Sequence, residues 1–335
     1  MFFLKKNLTF ALSILLFSTI SSAYFKKNDT GEEAFSFLST FSNARSAALE
    51  NSSSAKPSSN PGSSLQNPAI LSLDDKKNAV AFSWQTSEFA DNQGYLAYAR
   101  KLQAMTLQIS YGWIRYGSVD GYDEQGNPTG KTYKPQSSVS ALTLSMPLPH
   151  LQFGSTVKFA TDLLTGEEND QTAMAIAFDW GFLWQATSRK FGFALTARNF
   201  GKMIRAYVEN GDTDYGLEET FAISGFYIPG ALPRLSLYAE STFPRYAEPA
   251  IAIGGEYAIG SSLFIRAGFT RTWLDISRDA KELFSSNGRP DETNDARFFS
   301  TGLGYAGERF SLDYAFSILA QGLGKQHRIG LGLRF

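Results

Sequence analysis

Between Asn78 and Phe335 one pattern recurs: large apolar residues at every second position, separated by small or polar ones. It is plainest where Met174, Ile176, Phe178, Trp180, Phe182 and Trp184 oppose Ala173, Ala175, Ala177, Asp179 and Gly181. A period of two is that of a β-strand with unlike faces. Fourteen stretches qualify, over 78–86, 93–102, 105–117, 133–146, 151–163, 171–185, 190–205, 217–228, 233–241, 249–259, 262–274, 296–306, 308–319 and 325–335. Most reach the roughly 9–11 residues that a tilted strand needs to cross a bilayer. Their connections alternate: tight ones such as 102–104, 147–150, 187–189 and 260–261 fall between long polar ones such as 118–132, 206–216 and 275–295. Membrane barrels have short periplasmic turns and longer outer loops, an alternation that a soluble sandwich or propeller has no reason to keep. The pattern predicts an all-β fold: a 14-stranded antiparallel transmembrane β-barrel over 78–335, with an N-terminal hatch segment before it.

The front of the chain agrees with export. Lys5 and Lys6 precede an apolar run from Leu8 to Ile20, and Ser21-Ser22-Ala23 supplies small residues for cleavage, which makes 1–23 a signal peptide. The run is shorter than the ~20 apolar residues of a spanning helix. Two lysines leave with it, so 31 basic residues fall to 29 against 32 acidic ones, a formal charge near −3 and no footprint for nucleic acid. The chain has no cysteine, hence no disulfide and no lipidated N-terminal Cys. Aromatics at 14%, 29 glycines and a mean hydropathy of −0.19 suit a wall with one lipid face and one wet face, placing the protein in the bacterial outer membrane with lipid as its first partner.

Residues 24–77 show no clean strand. They hold Ala34-Phe35-Ser36-Phe37-Leu38, then Ala44-Arg45-Ser46-Ala47-Ala48-Leu49, a Ser- and Pro-rich stretch over 52–64, and Asn67-Pro68-Ala69-Ile70-Leu71. The Ser/Pro composition alone suits a flexible linker. Flanked by apolar pieces, and facing a lumen lined by Gly, Ala and Ser with scattered Arg, Asp and Glu, the segment is expected to pack inside as a hatch or plug.

No constellation points to catalysis or a cofactor. The chain has two histidines; His327 has outward parity near the outer end of the last strand but no Ser and acid at convergent spacing, and His150 belongs to the opposite side of the membrane. The acidic loop with Asp120, Tyr122, Asp123 and Asn127 lacks the oxygen spacing of a calcium loop and suits a surface hairpin. That loop and 275–295, with Lys281, Phe284 and Arg289, are the longest connections and the candidate partner-contact surfaces.

The Ala44–Leu49 run followed by Asn67-Pro68-Ala69, the hatch motif residues being Ala44, Arg45, Ala48, Leu49, Asn67, Pro68 and Ala69, resembles the N-terminal region of the PorV/PorQ family. The segment 117–130 with Ser140-Ala141-Leu142 is most similar to its PorQ branch. The resemblance implies a fatty-acid-transporter (FadL-like) barrel that acts as an accessory of type IX secretion or surface attachment, with secretion subunits or cargo C-terminal domains as partners. Family members carry a Gly pair where this chain has Glu50-Asn51, which predicts a different turn here, since Glu does not readily take φ > 0. The alternative function is a FadL-like outer-membrane transporter of hydrophobic or small solutes, with the hatch in its path.

Overall fold

The computed structural model describes residues 33–73, 76–88, 90, 92–123, 125–148, 151–164, 171–283, 298–319 and 324–335. The signal segment 1–23, His150, Phe284 and Arg289 lie outside these residues. The strands are β1 (Asn78–Ser87), β2 (Asn92–Leu102), β3 (Met105–Arg115), β4 (Val119–Tyr122), β5 (Pro128–Tyr133), β6 (Gln136–Leu148), β7 (Leu151–Leu163), β8 (Ala173–Gln185), β9 (Phe191–Arg205), β10 (Thr220–Tyr227), β11 (Leu235–Pro244), β12 (Ala250–Ile259), β13 (Leu263–Thr272), β14 (Phe298–Ala306), β15 (Phe310–Ile318) and β16 (Lys325–Arg334).

All but β4 and β5 form one closed antiparallel barrel of fourteen strands, in which β3 pairs with β6 and β1 closes on β16. At the seam Ala79 lies opposite Arg334 and Gln85 opposite Arg328. Burial follows the sequence alternation. In β8 Ala173, Ala175, Ala177, Asp179 and Gly181 are buried while Phe178, Trp180, Phe182 and Trp184 are exposed. The most exposed apolar side chains, among them Leu303 (60%), Phe193 (58%) and Ile109 (57%), form the outward surface that lipid covers.

Two connections are more ordered than expected. The connection expected over 118–132 pairs with itself as the β4–β5 hairpin, and the strand before it ends at Arg115, short of the expected Gly117. Its tip is closed by Asp123, whose carboxylate accepts from the Asn127 backbone N–H (2.7 Å) and the Gln125 N–H (3.0 Å). The long connection after β13 starts as a helix, α2 (Trp273–Leu283). The Thr272 hydroxyl accepts from the Asp275 N–H (3.1 Å), the bond of an N-cap, and Asp275 puts an acid in the first turn.

The core lies between the wall and the segment 33–73. Phe35, Phe37, Leu38 and Phe41 pack at the long-loop end, and Leu49, Ala69 and Ile70 meet Leu183 and Phe226 lower down. Leu71 and Leu73 reach Ala79 and Ala99 near the short turns. The hatch therefore runs through the barrel from the outer mouth to the inner one.

Candidate functional site

The hatch is built from short turns with asparagine caps. The Asn43 side chain accepts from the Ser46 N–H (2.9 Å) at the single turn α1 (Ala44–Ala47). Asn60 accepts from the Gly62 N–H (2.9 Å) and Asn67 from the Ala69 N–H (2.8 Å), each just before a 3₁₀ turn that opens on proline, Pro61–Leu65 and Pro68–Ile70. Asn is a strong cap, and Pro at the first position gives up an N–H that would have had no partner. Most serines of 52–64 are buried, and the stretch is hydrogen-bonded, not a linker: Ser52 donates to the Leu49 carbonyl (2.7 Å), Ser54 to Glu240, and Ser64 to the Pro61 carbonyl (2.9 Å).

Glycines in the wall seat this segment. A Cβ on Gly154 would fall on the Pro68–Ala69 peptide, and one on Gly181 on the Asn67 carboxamide. Others would meet Phe41 from Gly112 (2.7 Å), Ser52 from Gly254 (2.6 Å) and the Leu49 carbonyl carbon from Gly268 (2.5 Å). The absence of side chains at these inward positions lets the hatch backbone lie against the strands.

Glu50 and Asn51 both adopt the left-handed conformation (φ 51° and 59°) that glycine would favour, although Glu does not readily take φ > 0. The Glu50 carboxylate holds the turn by accepting from Thr270 (3.1 Å) and Ser300. Burial raises the pKa of this carboxyl, and those two bonds offset part of the rise.

Charge fastens the hatch. Arg45 donates from Nε to Glu256 Oε2 (2.8 Å) and from Nη2 to Glu256 Oε1 and the Tyr238 hydroxyl (3.0 Å each). Arg266 donates from Nε to Glu256 (2.7 Å) and from Nη1 to Asp313 (2.6 Å). The second bond crosses β14 at Gly304, where a Cβ would strike both partners. Further up, Lys158 pairs with Asp179 (2.7 Å) and Arg198 with Glu240 (3.4 Å). At the outer mouth Ser39 donates to Glu218 (2.6 Å), whose carboxyl burial pushes up to about 7.

The hatch leaves a cavity on each side. The outer one, about 240 Å³, is lined by Phe41, Glu50, Lys158, Arg198, Glu240 and Thr270, among others. The inner one, about 250 Å³, lies at the short-turn end against Arg45, Lys56, Glu256, Arg266, Asp313 and Arg334.

The structure thus brings the hatch motif residues together: Ala44 and Ala48 pack on Ala315, Leu49 and Ala69 share a cluster, and Arg45 reaches the charged wall. Of the loop residues, Asp123 and Asn127 meet at the hairpin tip, Asp120 and Tyr122 lie exposed on β4, and Lys281 is exposed on α2. His327 bonds through Nδ1 to the Tyr314 hydroxyl (2.8 Å) on the outward face. Among the described residues no group of three or more His, Cys, Asp or Glu converges to hold a metal. The wall charges that pin the hatch were legible only as scattered inward acids and bases.

No family model matches the sequence, and no curated protein does. Among solved structures the chain is similar to the P. putida toluene transporter TodX (12% identity, TM-score 0.60, 88% of this chain and 98% of that one). It is also similar to the Ralstonia pickettii toluene transporter TbuX (12%, 0.57, 88% and 98%) and to the CymD monoaromatic hydrocarbon channel (10%, 0.56, 88% and 96%). At these identities the likeness establishes the fold, that of an outer-membrane barrel. It overturns the resemblance to the PorV/PorQ family and, with it, the accessory role in type IX secretion or surface attachment and the secretion subunits and cargo domains as partners. The physical reason lies in the motifs. Ala44–Leu49 and Asn67-Pro68-Ala69 are capped turns packed on glycine, and 117–130 is a carboxylate-closed hairpin. Such local chemistry suits any hatch or surface hairpin and does not mark a secretion machine.

Proposed function

We propose that the protein is a FadL-like outer-membrane channel that admits small solutes, with the hatch over 33–73 as the barrier in its lumen. One observation carries this reading: the hatch occupies the middle of the barrel and leaves a chamber on each side, at the outer and inner mouths. A barrel serving only as a scaffold has no need of paired chambers. The fold shared with a toluene transporter and a monoaromatic hydrocarbon channel supports it.

Because the chain has no cysteine, a cross-link can be placed cleanly. A Cβ on Gly330 would sit 3.2 Å from the Ala44 Cβ, close to the roughly 3.5–4.5 Å of a disulfide. In liposomes carrying the Ala44→Cys/Gly330→Cys protein, solute influx should be low when oxidised and rise on reduction. Equal influx in the two states, or none above protein-free liposomes, overturns the channel.

A further inference from the structure

Both chambers hold charged side chains, but the balance of charge differs. In the outer one Lys158 and Arg198 are balanced by Glu50 and Glu240. In the inner one Arg45, Lys56, Arg266 and Arg334 face only Glu256 and Asp313. Those two carboxylates are already engaged: Glu256 accepts from Arg45, Arg266 and Tyr238, and Asp313 from Arg266. A guanidinium carries five N–H donors. Among the described residues, Nη1 of Arg45 and Nη2 of Arg266 make no hydrogen bond. Lys56 stands 3.7 Å from Glu256 and spends its shorter bonds on neutral oxygens, Ser236 (3.0 Å) and Tyr238 (3.1 Å). Arg45 and Arg266 are largely withdrawn from water, where cations need anions, and the chamber lining holds two more cations than carboxylates.

We infer that the inner chamber binds a small hydrophilic anion, a carboxylate or phosphate, between Arg45, Arg266 and Lys56 with Arg334 at its edge, and that such an anion, not a neutral hydrocarbon, is the solute. The second half rests on the channel reading; the binding site does not. Forked guanidiniums suit oxyanions. Burial pushes the Lys56 ammonium down to about 8, with Glu256 opposing and Arg45 and Arg266 adding to the fall. Anion affinity therefore weakens as pH rises through about 8 and Lys56 loses its proton.

The test is calorimetric titration of the full mature chain in zwitterionic lipid discs with benzoate, inorganic phosphate and toluene, beside the Lys56→Gln/Arg334→Gln protein. That variant leaves the Arg45–Glu256–Arg266–Asp313 chain in place, and its folding is checked by the faster gel migration of an unboiled barrel. Binding of either anion at pH 7, weakened roughly tenfold or more by the double substitution, with benzoate binding weakened again at pH 9, supports the site. No anion binding, unchanged binding by the variant, or toluene binding as tight as benzoate overturns it. Loss of benzoate binding only in discs with an anionic phosphate headgroup makes lipid the occupant and overturns the solute assignment. Anion binding without influx through the reduced Ala44→Cys/Gly330→Cys protein leaves the site standing and removes the channel.

Discussion

On its outward face β14 gives Leu303 and Tyr305 to lipid; on its inward face it gives Gly302, beneath Ala48, and Gly304, beneath the Arg266–Asp313 bond. The two faces answer to different demands. Lipid asks only for apolar bulk, and any large residue of the right parity meets that demand. The lumen asks for a shape and a charge set by one particular hatch, residue by residue. Substitutions should therefore be forgiven outside unless they bring charge, and punished inside even when they are small.

The largest effect is expected at the inner end. Glu256→Ala leaves Arg45 and Arg266 without their shared carboxylate, and removing one partner of a buried ion pair costs about 3–5 kcal/mol. Urea unfolding in micelles measures it, and a loss no greater than that of Ile253→Ala on the lipid face breaks the comparison. Next comes charge on the outward face. Leu303 lies on the outward face of β14 between Ile265 and Tyr314, away from both strand ends, and Leu303→Arg should cost about 2–4 kcal/mol in a bilayer. Unfolding from lipid vesicles, with Leu303→Ala beside it, tells charge from lost bulk.

Overpacking the seat is a finer probe. Gly268→Leu drives a side chain into the Leu49–Glu50 peptide, a strain of about 1–3 kcal/mol if the wall holds. The hatch should yield first, so limited proteolysis should cut 33–73 faster while the unboiled barrel migrates as folded. The smallest effect is set by pH at the outer mouth. Burial lifts the Glu218 carboxyl to about 7 in the fold from about 4.5, with Glu33 adding to the rise and Ser39 and Arg198 opposing it. Its folded pKa exceeds its unfolded one, so the stability it contributes is full below about 4.5 and is lost as pH rises through about 7. The Tm should fall between pH 5.5 and 8.5, and Glu218→Gln should flatten that part of the fall.

Much of this was legible because strand periodicity is local. Met174 to Trp184 display their faces without reference to any other part of the chain, and the turn lengths order the wall. One lumenal pair was readable in principle: Glu256 and Arg266 sit opposite each other across the tight 260–261 turn. The rest was hidden by distance along the chain. Arg266 meets Asp313 across an intervening strand, and Arg45 comes to Glu256 from the hatch, contacts that no local pattern records. Thr272 and Asp275 carry the cap of α2, but a Thr and an Asp three residues apart suit a polar loop between strands as well as a helix start, so the local pattern does not distinguish the two. The hatch motifs misled for a related reason: asparagine caps speak of turns, not of partners.

The seam between β1 and β16 carries a consequence for the order of assembly. It joins Ala79 to Arg334, so the wall shuts only when the two ends of the barrel sequence meet, the most distant and hence slowest of its strand pairings to form. If that door closed with 33–73 still outside, Phe35, Phe37, Leu49 and Ile70 would be stranded without their wall partners. The segment 33–73 must already lie in the curling sheet when the last strand arrives, so the plug acts as the form around which the barrel is wrapped.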